Sequence, residues 1–226
     1  MEGKVDQYGF PKMKNSQIII TEEVFRRLIK ITQLSRSKKE EHMCLLYGAD
    51  MNNNRILFHT VNQSEDYKTF GGGSDDPTKH GIQIGDSELK KELQSWIDLN
   101  KSGAVICDIH THPSGINGDN THFRMFSNSD LDSSIKRSKL LITKGIQEIT
   151  GLIAVDRERG NSTISFVWYD IANNRFYRVE NVYVVKHNKQ TNKYLYEPLK
   201  KQGNYEYIEI GFNPVIQCSN RENDER

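Results

Sequence analysis

Two histidines one residue apart, His110 and His112, follow an apolar run and offer the clearest chemistry in the chain. The run, Ala104 to Ile109, is typical of a buried strand. Side chains at positions i and i+2 of a strand project from the same face, so both imidazoles would emerge together where the strand leaves the core. Imidazole nitrogen is a common ligand of zinc. The pair therefore predicts half of a metal site.

A carboxylate can reach the same place from a helix that begins near Ser127. Ser127 is a natural N-cap, and Asp130 then lies in the first turn, where the helix dipole favours a negative charge. Taken alone, this pair is better explained by ordinary helix capping. A catalytic zinc takes three protein ligands and leaves one position for water. His110, His112 and Asp130 supply three such ligands.

Metal-assisted hydrolysis also needs a proton acceptor that lies near the ion without ligating it. Glu40 and Glu41 lead into an apolar run, Met43 to Tyr47, that predicts a strand. One of these two glutamates could point into the site from a neighbouring strand. Taken alone, the two glutamates are better explained as part of a solvated run of charges, because Lys38 and Lys39 come directly before them.

The elements that must position these residues follow from apolar periodicity and turn signals. The first helix begins at Thr21, a plausible N-cap, and a second at Ser87. A polar, glycine-rich segment at 62–85 has a length typical of a functional or disordered loop. The predicted strands are 17–20, 43–47, 55–61, 104–109, 151–155, 163–169 and 176–185, and a third helix covers 127–140.

Composition narrows the function classes. The formal net charge of the 226 residues is +1, which argues against nucleic-acid binding through general electrostatic attraction. No apolar run approaches the roughly 18 residues of a membrane span, and the first residues carry no apolar core of a secretory signal. Cys44, Cys107 and Cys218 show no paired spacing, which favours a reducing compartment and a cytoplasmic location. None has a recognisable activating context, so a cysteine protease is not favoured.

Taken together, the pieces resemble the JAMM motif of the JAB/MPN metalloproteases, written E…H-x-H-P…S-x-x-D. Its parts here are the segments 41–48, 110–113 and 127–131, and the resemblance covers roughly residues 16–170. It implies that His110, His112 and Asp130 bind Zn²⁺. Glu41 would act as general base and acid, and Ser127 would donate a hydrogen bond to the attacking water or to the developing oxyanion.

Two features depart from the family pattern, and a third leaves the choice of the ligating aspartate open. The stretch 113–126 is longer than is usual between the second histidine and the serine. Cys44 stands where the family commonly has glycine. A second Ser-x-x-Asp, formed by Ser129 and Asp132, overlaps the first. We favour Asp130 over Asp132 because Leu131 follows it, as is usual in the family.

The resemblance implies an α/β fold of the cytidine-deaminase-like JAB/MPN type, with a central mixed, curved β-sheet flanked by helices. We expect a metalloprotease domain at 16–185, a flexible N-terminal segment at 1–15, and a C-terminal extension at 186–226 that ends in a disordered tail. The segments 62–85 and 114–126 are the candidate walls of a substrate groove.

The implied substrate is the C-terminal tail of a ubiquitin-like protein. Stand-alone prokaryotic members are the most similar, and some of these belong to defence pathways with activating- and conjugating-enzyme partners. The expected reaction is isopeptide deconjugation or precursor processing.

Several alternatives stay open. A RadC-like JAB protein of DNA-related function shares the run His110-Thr111-His112-Pro113-Ser114-Gly115, although the near-neutral charge weighs against it. A non-catalytic MPN scaffold would bind a protein partner, but such scaffolds typically lose ligands. A zinc deaminase lacks support because no H-x-E with P-C-x-x-C occurs. An amidohydrolase barrel would need a longer chain.

Overall fold

Strands dominate the structure, a computed structural model that describes residues 10–52, 54–62, 67–70, 81–84, 94–95, 103–115, 122–188, 190–199, 201–202 and 207–209. The described helices are α1 (Glu22–Lys38) and α2 (Asn128–Ile142), with a 3-10 turn at His122–Arg124. The strands are β1 (Lys12–Thr21), β2 (Met43–Asp50), β3 (Arg55–Val61), β4 (Tyr67–Phe70), β5 (Gly81–Ile84), β6 (Ala104–Pro113), β7 (Ile146–Val155), β8 (Ser162–Asp170), β9 (Arg175–Asn188), β10 (Lys193–Pro198), β11 (Lys201–Gln202) and β12 (Tyr207–Glu209).

Seven strands close into a barrel in the order β1-β3-β2-β6-β7-β8-β9 and back to β1. The long strand β9 makes the closure, because its first residues pair with β8 and the following ones pair with β1. Pairing is parallel at β1–β3, β6–β7 and β9–β1 and antiparallel elsewhere in the ring. Every strand of the ring therefore has two neighbours.

The predicted α/β fold class, with a central sheet flanked by helices in the JAB/MPN manner, is wrong. The sheet is closed, and only two helices of ordinary length occur in the part of the chain that the structure describes. The prediction rested on the resemblance to the JAB/MPN family. Closure depends instead on Gln17–Thr21 pairing with Asn181–Val185 at the other end of the fold. No local pattern encodes a pairing across that separation.

The first helix packs into the concave side of the barrel. Its apolar face (Val24, Phe25, Leu28 and Ile31) shares one buried cluster with side chains from all seven ring strands. The members from β6 include Cys107 and Ile109. Because side chains alternate along a strand, His110 and His112 take the opposite, outer face of β6.

Most of the predicted local elements are confirmed. Thr21 caps α1 by accepting a hydrogen bond from the Val24 N–H at 3.4 Å. The predicted strands 43–47 and 55–61 lie within β2 and β3, which pair antiparallel, and the strand predicted at 104–109 extends to Pro113 in β6. Only residues 94–95 of the helix predicted from Ser87 are described, and they are helical.

The C-terminal part of the chain adds to the barrel sheet. The strand β9 crosses position 185, where the metalloprotease domain was expected to end. The strand β10 pairs with β9, and β12 pairs with β8. The predicted disordered tail, Ser219 to Arg226, lies outside the described residues.

Neither described helix combines the length and the apolar character that crossing a membrane requires.

Candidate metal centre

The two histidines sit at the end of β6, between β2 and β7. His110 pairs with Met43 of β2 on one side and with Leu152 of β7 on the other. The residue between them, Thr111, is fully buried and faces inward. Thr111 also binds the backbone of His42: the Thr111 N–H donates to the His42 carbonyl at 2.8 Å, and the His42 N–H donates to the Thr111 hydroxyl oxygen at 2.8 Å. This double contact holds the chain before β2 against the histidine strand.

The carboxylate of Asp130 reaches the histidines from the first turn of α2. Ser127 and Asp130 form a reciprocal capping box: the Asp130 N–H donates to Ser127 Oγ at 3.2 Å, and the Ser127 N–H donates to Asp130 Oδ2 at 2.7 Å. The predicted N-cap is therefore confirmed. The same capping contacts also point the Asp130 carboxylate toward the outer face of β6.

The three predicted ligands form one cluster whose donor atoms all lie within 4.8 Å of one another. His110 Nε2 is 3.1 Å from His112 Nε2 and 3.4 Å from Asp130 Oδ1. His112 Nε2 is 3.6 Å from Asp130 Oδ2. Both imidazoles thus present Nε2 to the same carboxylate, through its two different oxygens.

The donor set fits a tetrahedral zinc ion. Two ligand atoms that are each about 2.0–2.1 Å from one tetrahedral zinc lie roughly 3.3 Å apart. The 3.1 Å from His110 Nε2 to His112 Nε2 and the 3.4 Å from His110 Nε2 to Asp130 Oδ1 lie close to that value. Two nitrogens and one carboxylate oxygen also match the donor types of catalytic zinc sites. We find no comparable group of three ligands elsewhere in the described residues.

The pKa values of His110, His112 and Asp130 are shifted in different directions, so near neutral pH the cluster carries one proton. Burial alone lowers the pKa of His110, but the carboxylates of Asp130, Asp108 and Glu41 raise it to about 9. Burial and the neighbouring His110 lower the pKa of His112 to about 4. Burial raises the pKa of Asp130, yet the facing histidines bring it well below its ordinary value. A metal cation bound among these atoms would supply the positive charge that this proton otherwise supplies.

Glu41 approaches the cluster without joining it. Its Oε1 lies 3.8 Å from His112 Nε2, and its side chain is 18% exposed. Burial raises the pKa of Glu41 to about 7, against the opposing effect of His110. A carboxyl group of this kind can accept and return a proton near neutral pH. The neighbouring Glu40 faces away, with Oε2 at 3.9 Å from His42 Nε2.

A buried ionic network beneath α2 was missed by sequence reasoning. Arg137 Nη2 lies 2.8 Å from Asp108 Oδ2 and 3.0 Å from Glu148 Oε1. Ser134 and Ser138 each donate a hydrogen bond to Glu148 Oε2 at 2.8 Å. A carboxylate that is 1% exposed is thereby satisfied on both oxygens.

This network sets the rotation of α2 about its axis. Asp130, Ser134, Arg137, Ser138 and Leu141 follow a spacing that places them on one stripe of the helix. With Arg137 bonded to β6 and β7, the same stripe directs Asp130 toward the histidines. Asp108 was the available signal, since it stands two residues before His110 in an apolar run and so shares the histidine face.

The structure also distinguishes between the two overlapping Ser-x-x-Asp registers. Asp130 lies with the histidines, whereas Asp132 is exposed on α2. Ser127 Oγ lies 2.7 Å from Asp130 Oδ2 and 2.8 Å from Ser129 Oγ. Of the two proposed groove walls, the structure describes residues 62, 67–70 and 81–84 of the segment 62–85, and residues 114–115 and 122–126 of the segment 114–126. Cys44 is fully buried in the barrel interior, where burial raises the pKa of its thiol to about 12.

On the role that the JAMM resemblance implies for Ser127, we expect Ser127→Ala to lower any metal-dependent turnover by about 100-fold, the usual cost of losing one oxyanion donor. It should also destabilise the fold by ~1 kcal/mol, because the helix loses its N-cap. The matched control is Ser133→Ala, which removes an exposed hydroxyl from the same helix and should change turnover less than about twofold. Steady-state kinetics and thermal melts measure both effects. Equal losses of turnover in the two variants would contradict the role of Ser127.

Two cavities are formed by residues that the structure describes. One of about 210 Å³ adjoins the start of α2 and is lined by Phe10, Arg124, Met125, Phe126, Asn128, Leu131, Val167 and Arg178. Met125 also binds His112 through its backbone. A cavity of about 570 Å³ opens at the opposite end of the barrel, near Asp50, Ile146 and Trp168. None of the five predicted site residues lines the larger cavity, so it is separate from the metal cluster.

Comparisons with known proteins do not identify a family. No family model matches the sequence. Curated proteins give no match either. Among solved structures, the chain is similar to the STIL N-terminal domain of Trichoplax adhaerens, with 15% sequence identity and a TM-score of 0.29. That alignment covers 66% of this chain and 41% of the STIL chain. A likeness this weak indicates neither a fold nor a function.

Proposed function

We propose that the chain is a zinc-dependent peptidase that hydrolyses the amide or isopeptide bond after the C-terminal glycine of a ubiquitin-like protein. One observation carries the proposal. Three donor atoms of His110, His112 and Asp130 lie within 4.8 Å of one another, and a second carboxylate, that of Glu41, lies beside them. Ligands alone would suit a structural ion, whereas an adjacent carboxylate outside the ligand set suits hydrolysis.

The roles of the side chains follow from their positions. His110, His112 and Asp130 would hold the ion, and zinc, when bound there, supplies Lewis-acid activation of water and of the scissile carbonyl. Glu41 takes a proton from the attacking water and gives it to the leaving amine. Ser127, exposed at the start of α2, turns its hydroxyl from Asp130 to the oxygen on which charge develops.

The substrate class rests on the JAMM-type motif and not on the fold. The segments that carry the motif occur in the order of the family, and the structure brings their side chains to one place. We propose that the tail of a ubiquitin-like protein enters as an extended segment, a mode in which backbone hydrogen bonds to a strand supply affinity. Activating- and conjugating-enzyme partners, as in defence pathways, belong to the same proposal.

A cytoplasmic location is also part of the proposal. Cys44 and Cys107 are both free thiols and both fully buried in the barrel. Unpaired cysteines of this kind are typical of proteins in a reducing compartment.

The test of the proposal is a cleavage assay. The zinc-loaded protein is incubated with a ubiquitin-like protein that is extended beyond its terminal Gly-Gly, and the products are analysed by mass spectrometry. We expect release of the extension with the cut after the second glycine, inhibition by a zinc chelator, and recovery on adding zinc. The matched substrate carries Ala-Ala in place of Gly-Gly and should be cleaved at least about tenfold more slowly.

Two outcomes would overturn the proposal. A zinc-loaded protein that cleaves none of a panel of ubiquitin-like fusions and isopeptide conjugates, but binds one of them, would be a scaffold. Retention of DNA by the same protein at physiological salt would favour the RadC-like alternative.

A further inference from the structure

The strand β10 presents an open edge that carries large apolar side chains. It pairs with β9 on one side, and no described strand pairs with its other side. Tyr194, Leu195 and Tyr196 follow one another there and are 65%, 43% and 52% exposed. Successive side chains of a strand point to opposite faces, so the strand is apolar on both faces. An exposed apolar edge is a template for pairing with another strand.

The direction of the backbone groups defines what this edge can accept. The Leu199 N–H donates to the Val182 carbonyl of β9 at 2.9 Å, so the backbone of Leu199 faces β9. Backbone groups alternate in direction along a strand, and the β10–β9 register runs without a shift. Tyr194 and Tyr196 therefore turn their N–H and C=O groups to the open edge. Pro198 lies two residues after Tyr196, so its backbone also faces the open edge. Proline has no N–H to donate, and β9 therefore loses no hydrogen bond at this position.

We propose that a second copy of this chain pairs with this edge, β10 against β10, in an antiparallel, two-fold symmetric dimer. Hydrogen bonds between the two strands form only where residues whose N–H and C=O groups face the open edge lie opposite residues of the same kind. The register centred on Leu195 does this most fully, because Tyr194 then faces Tyr196 of the second copy and each exchanges N–H and C=O bonds with the other. A shift by one residue would place the backbone groups that face the open edge of one strand opposite backbone groups of the other strand that face β9.

The same register brings opposite charges together. With Leu195 on the two-fold axis, Lys193 lies opposite Glu197 of the second copy, and the symmetry repeats the pair. Both side chains occupy the face that carries Leu195. Oppositely charged cross-strand pairs stabilise antiparallel sheets and like charges destabilise them. The direction of the hydrogen-bonding groups thus excludes a shift by one residue, and charge selects the register centred on Leu195 among those that remain.

Self-complementarity is what indicates a second copy in preference to an unrelated peptide. A two-fold interface requires each residue to find its partner in the same segment of the other chain. The run Lys193-Tyr194-Leu195-Tyr196-Glu197 meets this condition, with tyrosine facing tyrosine, leucine facing leucine and lysine facing glutamate. Leucine and tyrosine side chains exposed in the single chain would be covered in the pair.

A charge-swap experiment tests the dimer. Sedimentation velocity on the full chain, from micromolar to submillimolar concentrations, should show a species of twice the 26.1 kDa chain mass. K193E places like charges opposite each other at both ends of the interface, and E197K does the same with the opposite sign. Each variant alone should weaken dimerisation by about tenfold or more. An equimolar mixture should regain the wild-type dimer, because each variant then meets its complement.

The controls separate the interface from the fold. K144E changes an exposed lysine in the turn between α2 and β7 and should leave dimerisation unchanged. E197K also loses the 3.0 Å pair between Lys186 and Glu197, so its thermal melt is compared with that of K193E. A wild-type chain that stays monomeric at every concentration would overturn the proposal. So would a dimer that K193E leaves intact, or a mixture of the two variants that associates no better than either alone.

Discussion

Replacing Glu41 by glutamine should lower turnover by about 10²–10⁴-fold while leaving bound zinc near one equivalent per chain. The amide keeps the size of the side chain but cannot accept a proton from water. Glu41 lies 3.8 Å from His112 Nε2 and outside the three-residue cluster, so the ligands keep their positions. Metal analysis of the purified variant and its rate in the fusion-cleavage assay measure the two effects separately.

The neighbouring Glu40 provides a matched control for this substitution. Its carboxylate lies at 3.9 Å from His42 and takes no part in the cluster. Glu40→Gln therefore makes the same chemical change one residue away and should alter turnover less than about twofold. If the two variants lost activity equally, or if Glu41→Gln lost its zinc, the assignment of Glu41 as the proton carrier would be wrong.

Replacing His110 by alanine should remove the metal. His110 Nε2 is the atom nearest to both other ligands, at 3.1 Å from His112 and 3.4 Å from Asp130. Losing groups that merely orient a metal ligand costs about 10–100-fold in affinity, and losing a ligand itself should cost more than about 100-fold. We expect zinc to raise the melting temperature of the wild-type chain and to leave that of His110→Ala unchanged, because only a folded state that binds zinc is stabilised by it.

His59 gives the control for nonspecific zinc binding by imidazole. It is exposed on β3, outside the cluster, and its replacement by alanine should leave zinc stoichiometry and the zinc-induced shift unchanged. Substoichiometric zinc in the wild-type chain that His110→Ala does not reduce would rule out this site as a metal centre. Since both readouts are independent of substrate, they remain decisive even if the true substrate differs from the one proposed.

Local patterns were enough to predict the parts of the site that local geometry controls. Strand alternation put His110 and His112 on one face, and the N-cap at Ser127 put Asp130 in the first turn of a helix. Both follow from backbone geometry within a few residues. The choice of Glu41 over Glu40 is different, because it came from the JAMM resemblance and not from local geometry. In the structure, two hydrogen bonds between His42 and Thr111 hold the segment that carries Glu41 against the histidine strand, and the sequence of either strand alone does not reveal them.

The sequence by itself therefore determined the chemical groups, their order along the chain and the local elements that carry them. Tertiary structure decided how those elements meet. The pairing of β9 with β1 closes the sheet into a barrel, and the contacts of Arg137 with Asp108 and Glu148 rotate α2 until Asp130 meets the histidines. The physical reason is range. Helix caps and strand alternation act between residues near one another in sequence, whereas barrel closure and a buried ionic network join distant segments whose complementarity exists only after they pack.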